Sequence, residues 1–208
     1  DQLEQAAAAI RSDNGPHRIL IAPSWGESAL LERHGGDFIE PLLDAGCRVT
    51  LRPHPQTRRF HAAKLDAIIS RYGVRDNFTI DEDMTSKRSL VEADVMVSDW
   101  SGVALEFAFA QERPVLFVDV PRKINNPDYL SINIEPMEER IREKIGRVIP
   151  EDRIMFMAQD IRRLLEAREI TGKNIAAIRA QSIYNLGNSG KVGANALIDI
   201  MNLSKKKQ

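Results

Sequence analysis

The chain has 208 residues, 43% hydrophobic and 28% charged, with a formal net charge of -1. This is the make-up of a globular domain with one sizeable core, and so balanced a charge argues against nucleic acid as a partner, because phosphate neutralisation needs a basic surface. The single cysteine, Cys47, excludes an internal disulfide, and no apolar run approaches the ~18 residues of a membrane span.

In chain order, Asp1 to Ser12 reads as an Ala-rich helix, and residues 1–14 are expected to be a linker helix from a preceding domain. Arg18 to Ala22 is a short apolar strand ended by Pro23, followed by helical spacing over Gly36 to Ala45. Arg48 to Leu51 is a second strand, closed by Pro53. Thr57 to Tyr72 is helical, Phe78 to Ile80 is a weaker third strand, and Met84 to Ala93 is helical again. Asp94 to Val97 and Val115 to Val118 are apolar on both faces, as buried parallel strands are, and flank a helix over Ser101 to Gln111. After Asp119 the pattern changes. Pro121 to Pro136 is loop-like, and the remainder is expected to be helical over Pro136 to Gly146, Glu151 to Ala167, Gly172 to Ile183 and Lys191 to Asn202. Strands alternating with helices predict an α/β domain over 15–203, a doubly wound Rossmann-like parallel sheet with helices on both faces. Residues 204–208 are expected to be a disordered basic tail.

Ligands of open α/β sheets sit beyond the carboxyl ends of the strands. That rule selects four polar loops: Pro23 to Ser28, Arg52 to Thr57, Asp81 to Thr85, and Ser98 to Gly102. In the last, small residues let a phosphate approach the positive end of a helix dipole. Ser101 either caps that helix or donates to a pyrophosphate oxygen, and Glu106 either holds ribose hydroxyls or faces solvent. Pro53 and Pro55 restrict Arg52 and His54, residue types suited to phosphate binding and proton transfer. Ser24 and Glu27 stand at capping-box spacing, and Gly26 allows close backbone approach. His17, His34 and His61 are expected at the surface, Cys47 as an inert, partly buried thiol.

These stretches resemble a known family, the CDP-glycerol glycerophosphotransferases of teichoic-acid synthesis. The resemblance rests on Ala22-Pro23-Ser24-Trp25, Arg52-Pro53-His54-Pro55, Asp81 with Asp83, and the run from Ala93 through Ser98-Asp99-Trp100-Ser101-Gly102 and Glu106-Phe107-Ala108 to Arg113-Pro114-Val115-Leu116-Phe117. The Asp99 to Glu106 segment also looks like the nucleotide turn of UDP-N-acetylglucosamine 2-epimerases. The chain departs from the first family at Trp100-Ser101-Gly102, where Tyr-Ser-Ser is usual, and at Ser24-Trp25-Gly26, where Thr-Trp-Arg is frequent. The resemblance implies the C-terminal, donor-binding half of a GT-B fold. Its implied partners are a nucleotide-activated donor, CDP-glycerol foremost, and a polymer or lipid-linked acceptor reached through another domain. The protein is expected to be cytoplasmic and peripheral to the membrane, with no cofactor, no metal and no nucleic-acid partner. Under the resemblance, His54 and Arg52 are the catalytic stabilisers. Ser24, Trp25, Gly26, Ser98, Asp99, Ser101, Gly102 and Glu106 hold the nucleotide. The alternatives are the nucleotide-sugar half of a GT-B glycosyltransferase or 2-epimerase, and a non-enzymatic interaction module.

Overall fold

The computed structural model describes residues 15–205 apart from 123, 125 and 133. The linker helix expected over 1–14 therefore lies outside the described residues, as do 206–208.

Six parallel strands form the sheet: β1 (Arg18–Ile21), β2 (Arg48–Leu51), β3 (Phe78–Ile80), β4 (Val95–Ser98), β5 (Val115–Asp119) and β6 (Gly146–Pro150). Their spatial order is β3-β2-β1-β4-β5-β6, so the winding reverses between β1 and β4. The register pairs Ile21 with Leu51 on one side and with Val97 on the other, which brings the ends of β1, β2 and β4 level.

Because side chains alternate across a strand, one face of the sheet presents Ile19, Ile21, Val49, Leu51, Val95, Val97, Leu116, Val118 and Ile149, all in the main core. That face is covered by α1 (Leu30–His34), α2 (Glu40–Asp44), α4 (Ala62–Tyr72) and α8 (Met157–Glu166), whose apolar residues join the same core. In α4 the buried set is Leu65, Ile68 and Tyr72, one stripe at helical spacing. Each such side chain contributes roughly 1.5–3 kcal/mol by leaving water.

The other face carries Leu20, Met96, Val115 and Phe117. Here lie α6 (Val103–Gln111) and α7 (Met137–Ile145), which adjoin β4 and β5–β6 respectively. α6 is buried nearly all round, through Ala104, Leu105, Phe107, Ala108, Phe109 and Gln111, and its one charged residue, Glu106, is exposed. Two short helices, α3 (Pro55–Phe60) and α5 (Arg88–Glu92), complete the crossovers around β3.

The helix expected over Thr57 to Tyr72 is split at His61 into α3 and α4, and a helix and a strand form where none was expected. α1 forms between the loop expected over Pro23 to Ser28 and the helix expected from Gly36, with Ala29 rather than Ser24 at its N-cap and no side-chain cap, so the Ser24–Glu27 capping box is not made. β6 arises in a stretch read as the junction of two helices. Its signal is weak because only Ile149 of the strand is buried. Gly146 starts it with the backbone so close to β5 that a Cβ there would stand 1.7 Å from the Val115 carbonyl oxygen.

The compact unit built on this sheet ends at Ile175. From Ala176 the chain forms a separate helical unit, comprising the end of α9 (Arg168–Ser182) and α10 (Ser189–Lys205). Its Tyr184, Leu186, Leu197, Ile200 and Met201 are exposed. Ser204 and Lys205, expected in a disordered tail, are the last residues of α10. No helix among the described residues is long and apolar enough to cross a membrane.

Candidate functional site

With every strand parallel, all carboxyl ends share one edge, and the loops follow in the spatial order of β3, β2, β1, β4 and β5. Each neighbouring pair of loops is tied by a specific contact. Arg52 Nη1 bonds Asp81 Oδ2 at 2.5 Å, joining the loops after β2 and β3. The Trp25 ring stacks on His54 with centroids 5.8 Å apart, joining those after β1 and β2. Ser24 N–H donates to Asp99 Oδ1 at 2.7 Å, and Leu30 N–H to Asp99 Oδ2 at 2.9 Å, joining the loops after β1 and β4. Trp100 Nε1 donates to the Val120 carbonyl at 2.8 Å, joining those after β4 and β5.

Three of the residues expected at the ligand take part in the scaffold of the site. Asp99 is 1% exposed and accepts from a backbone amide at each carboxylate oxygen, so it organises the loop after β1. Ser98 is fully buried, and its hydroxyl donates to the Ala22 carbonyl at 2.7 Å, which clamps the end of β4 to the end of β1. Arg52 is also buried, committed to Asp81 and within 3.3 Å of Ser89 Oγ. Its neighbours are scaffold groups, which it holds in position.

The remaining candidates sit at the accessible surface of the same edge. His54 is the N-cap of α3, where its Nδ1 accepts the Gln56 N–H at 3.1 Å. A neutral ring so held carries its hydrogen on Nε2, so it acts as a donor and not as a base at Nδ1. Trp25 is half-buried, stacked on His54 on the one hand and on Phe60 at 6.1 Å on the other. Gly26 has φ 110°, a left-handed backbone that favours glycine and explains why no arginine stands there. Ser101 does not cap α6. The N-cap is Gly102, with no side-chain cap bond, and a Cβ on Gly102 would meet nothing within 4 Å. The positive end of α6 thus has no side-chain cap, with Glu106 exposed in its first turn.

Between these loops lies a pocket of about 200 Å³, lined by Ser24 to Ala29, Trp100, Val120 and Pro121. It stands where the strand order reverses, the position ligands take in doubly wound sheets. Whole small-molecule sites measure roughly 300–1,000 Å³, so this pocket accommodates part of a nucleotide-sized ligand. A larger concavity of about 670 Å³ opens over β1–β3, lined by strand residues such as Leu20, Thr50 and Thr79 with charges of both signs around them. It runs along the strands, away from the switch point, and the smaller pocket is the better site on chemical grounds. No group of His, Cys, Asp or Glu among the described residues is arranged to hold a metal ion.

Sequence reasoning missed the fifth loop. The carboxyl-end rule applies equally to β5, but Pro121 opened a segment read only as loop, and Val120, Pro121 and Arg122 were passed over. It also missed Arg142, because helix-face arginines at helical spacing look alike in a sequence. Arg142 is buried on α7, its guanidinium carbon 3.9 Å from the centre of the Trp100 ring, with Nη1 3.1 Å from Asp119 Oδ1. Burial pulls its pKa below the ordinary arginine value, while Asp119 opposes the shift.

No protein-family model matches the chain, and no curated protein matches it. Among solved structures it is similar to the wall teichoic acid polymerase TagF, with a TM-score of 0.55 and 18% identity over 97% of this chain and 47% of that one. A TagF variant soaked with CDPG gives a TM-score of 0.56 at 18% identity, over 97% of this chain and 46% of the other. A UDP-GlcNAc 2-epimerase from Neisseria meningitidis, bound to UDP-GlcNAc, gives 0.56 at 18% identity, over 95% and 48%. This chain spans just under half the length of each. At such identities the likeness establishes the fold, a Rossmann-like half of the GT-B architecture, and no substrate.

Proposed function

We propose that this chain is the donor-binding, C-terminal half of a GT-B transferase that moves glycerol phosphate, or a similar polyol phosphate, from a CDP-linked donor to an acceptor hydroxyl of a surface polymer. The observation that carries this reading is the pocket at the β1/β4 switch point, with two indoles in its walls beside the uncapped N-terminus of α6. An aromatic wall suits a base or sugar face, and an open helix N-terminus suits phosphate. The order of the motifs around it favours the polyol-phosphate class.

In the reaction, the acceptor oxygen forms a bond to the donor's distal phosphorus, the bond from that phosphorus to the bridging oxygen breaks, and CMP leaves. The acceptor proton passes to a base on another part of the protein. This chain's share is to hold the donor and meet the charge on the leaving phosphate, through Ser101, the α6 amides and the Nε2 hydrogen of His54. Trp25 and Gly26 shape the wall, and Glu106 is placed to accept ribose hydroxyls.

Calorimetric titration tests the reading. CDP-glycerol should give saturable heat with this chain and UDP-GlcNAc should bind more weakly, with no glycerophosphate transfer by the chain alone. The reverse preference would favour the nucleotide-sugar alternative that the epimerase likeness keeps in view. Turnover by the isolated chain would contradict the assignment of a half-site.

A further inference from the structure

The pocket's lining includes one charged side chain, Glu27, which is of the wrong sign for a diphosphate. Any cation that meets such a ligand must come from just outside the wall. Two guanidiniums lie there, both over the Trp100 ring, and they are not equivalent. Arg142 is buried against the Trp100 and Phe117 rings, paired with Asp119 and 3.4 Å from the Val118 carbonyl oxygen, and cannot turn to a ligand without giving up that packing. Arg122 follows Pro121 directly on the β5 loop, with its guanidinium carbon 5.0 Å from the Trp100 ring centre and 5.6 Å from that of Tyr129. It is 28% exposed and pairs at 2.8 Å with Glu139, which is 42% exposed. An ion pair that open to water is weak, so its arginine exchanges partners at little cost.

We propose that Arg122 is the diphosphate-binding residue of this site, with Glu139 the counter-ion it exchanges for the ligand and Arg142 a positioning residue that fixes the Trp100 indole. The inference rests on the donor-binding reading above and deepens it, since it names the ligand class as nucleoside diphosphate esters, in preference to nucleosides or monophosphates. Guanidinium recognises paired phosphate oxygens through its forked donors, which a lysine ammonium does not reproduce.

The test uses the whole chain, because both of its tryptophans line the pocket and report binding by fluorescence. CDP, CMP and cytidine are titrated against the parent, Arg122→Ala, Arg122→Lys and Glu139→Gln. Losing a charge-assisted contact should weaken CDP by about tenfold or more in Arg122→Ala, with cytidine unchanged and CMP between them. Arg122→Lys should recover part of the loss, and Glu139→Gln should tighten CDP. If Arg122→Ala binds CDP as the parent does, or loses cytidine equally, Arg122 is not the diphosphate ligand, and the donor reading survives through the parent's own binding. A parent that binds none of the three removes the donor reading itself. An unchanged unfolding midpoint establishes that Arg122→Ala is folded.

Discussion

The polar residues at the carboxyl edge of the sheet divide into two groups that look alike in the sequence. Arg52, Ser98 and Asp99 are buried and hold one loop to the next, whereas Ser24, Trp25, His54, Ser101, Gly102 and Glu106 remain accessible. A polar group that must be dry is retained where it satisfies other buried groups, and one that must meet a ligand stays open to solvent. Burial and partner decide between scaffold and site.

Substitution should separate the two groups, and the largest effect belongs to the scaffold. Arg52→Ala leaves the partly buried Asp81 without its cation and should cost about 3 kcal/mol, read as a lower urea midpoint at unchanged slope. A midpoint like the parent's would return Arg52 to the ligand group. Asp99→Ala orphans the Ser24 and Leu30 amides together, for about 2–4 kcal/mol. Asp99→Asn keeps one acceptor and should lose about half as much; equal stability of all three proteins would show that the loop after β1 does not depend on this carboxylate.

A smaller effect sharpens the comparison on the core side of the sheet. Glu151 accepts from Arg33 at 2.8 Å and lies 2.8 Å from His34 Nε2, tying the end of β6 to α1. Burial raises its pKa, but Arg33 and His34 outweigh that and hold it below the ordinary carboxylate value. A depressed carboxylate stabilises the fold above its unfolded pKa, about 4.3, and loses that contribution as the pH falls through the lower folded value. Glu151→Gln should therefore flatten the stability profile below about pH 5 by under ~1 kcal/mol, since the cluster is partly exposed. An identical acid slope in parent and variant would remove Glu151 from the account.

How legible each part was follows from the same physics. The first five strands were readable because each is a short, β-branched apolar run bounded by Pro, Gly or Asp. The four loops after β1 to β4 followed from those strands. β6 was not readable, since an edge strand with one buried side chain lacks the apolar run that marks the others. The scaffold role of Ser98 and Asp99 was hidden for another reason. Their partners, the Ala22 carbonyl and the Ser24 and Leu30 amides, lie at least 69 residues away in the chain, and backbone groups leave no trace in residue type. Trp100 stood inside the anchor turn, yet its role as pocket wall depends on Val120 and Arg142, which only the β5–α7 packing brings to it.

The central claim is that the accessible turn after β4 binds nucleotide while the buried part of the same turn holds the fold. The affinity of Ser101→Ala/Glu106→Ala for CDP, measured beside its unfolding midpoint, tests it most directly. The account predicts a loss of about tenfold or more in affinity with the midpoint within about 0.5 kcal/mol of the parent. Undiminished CDP binding by the double variant would contradict it.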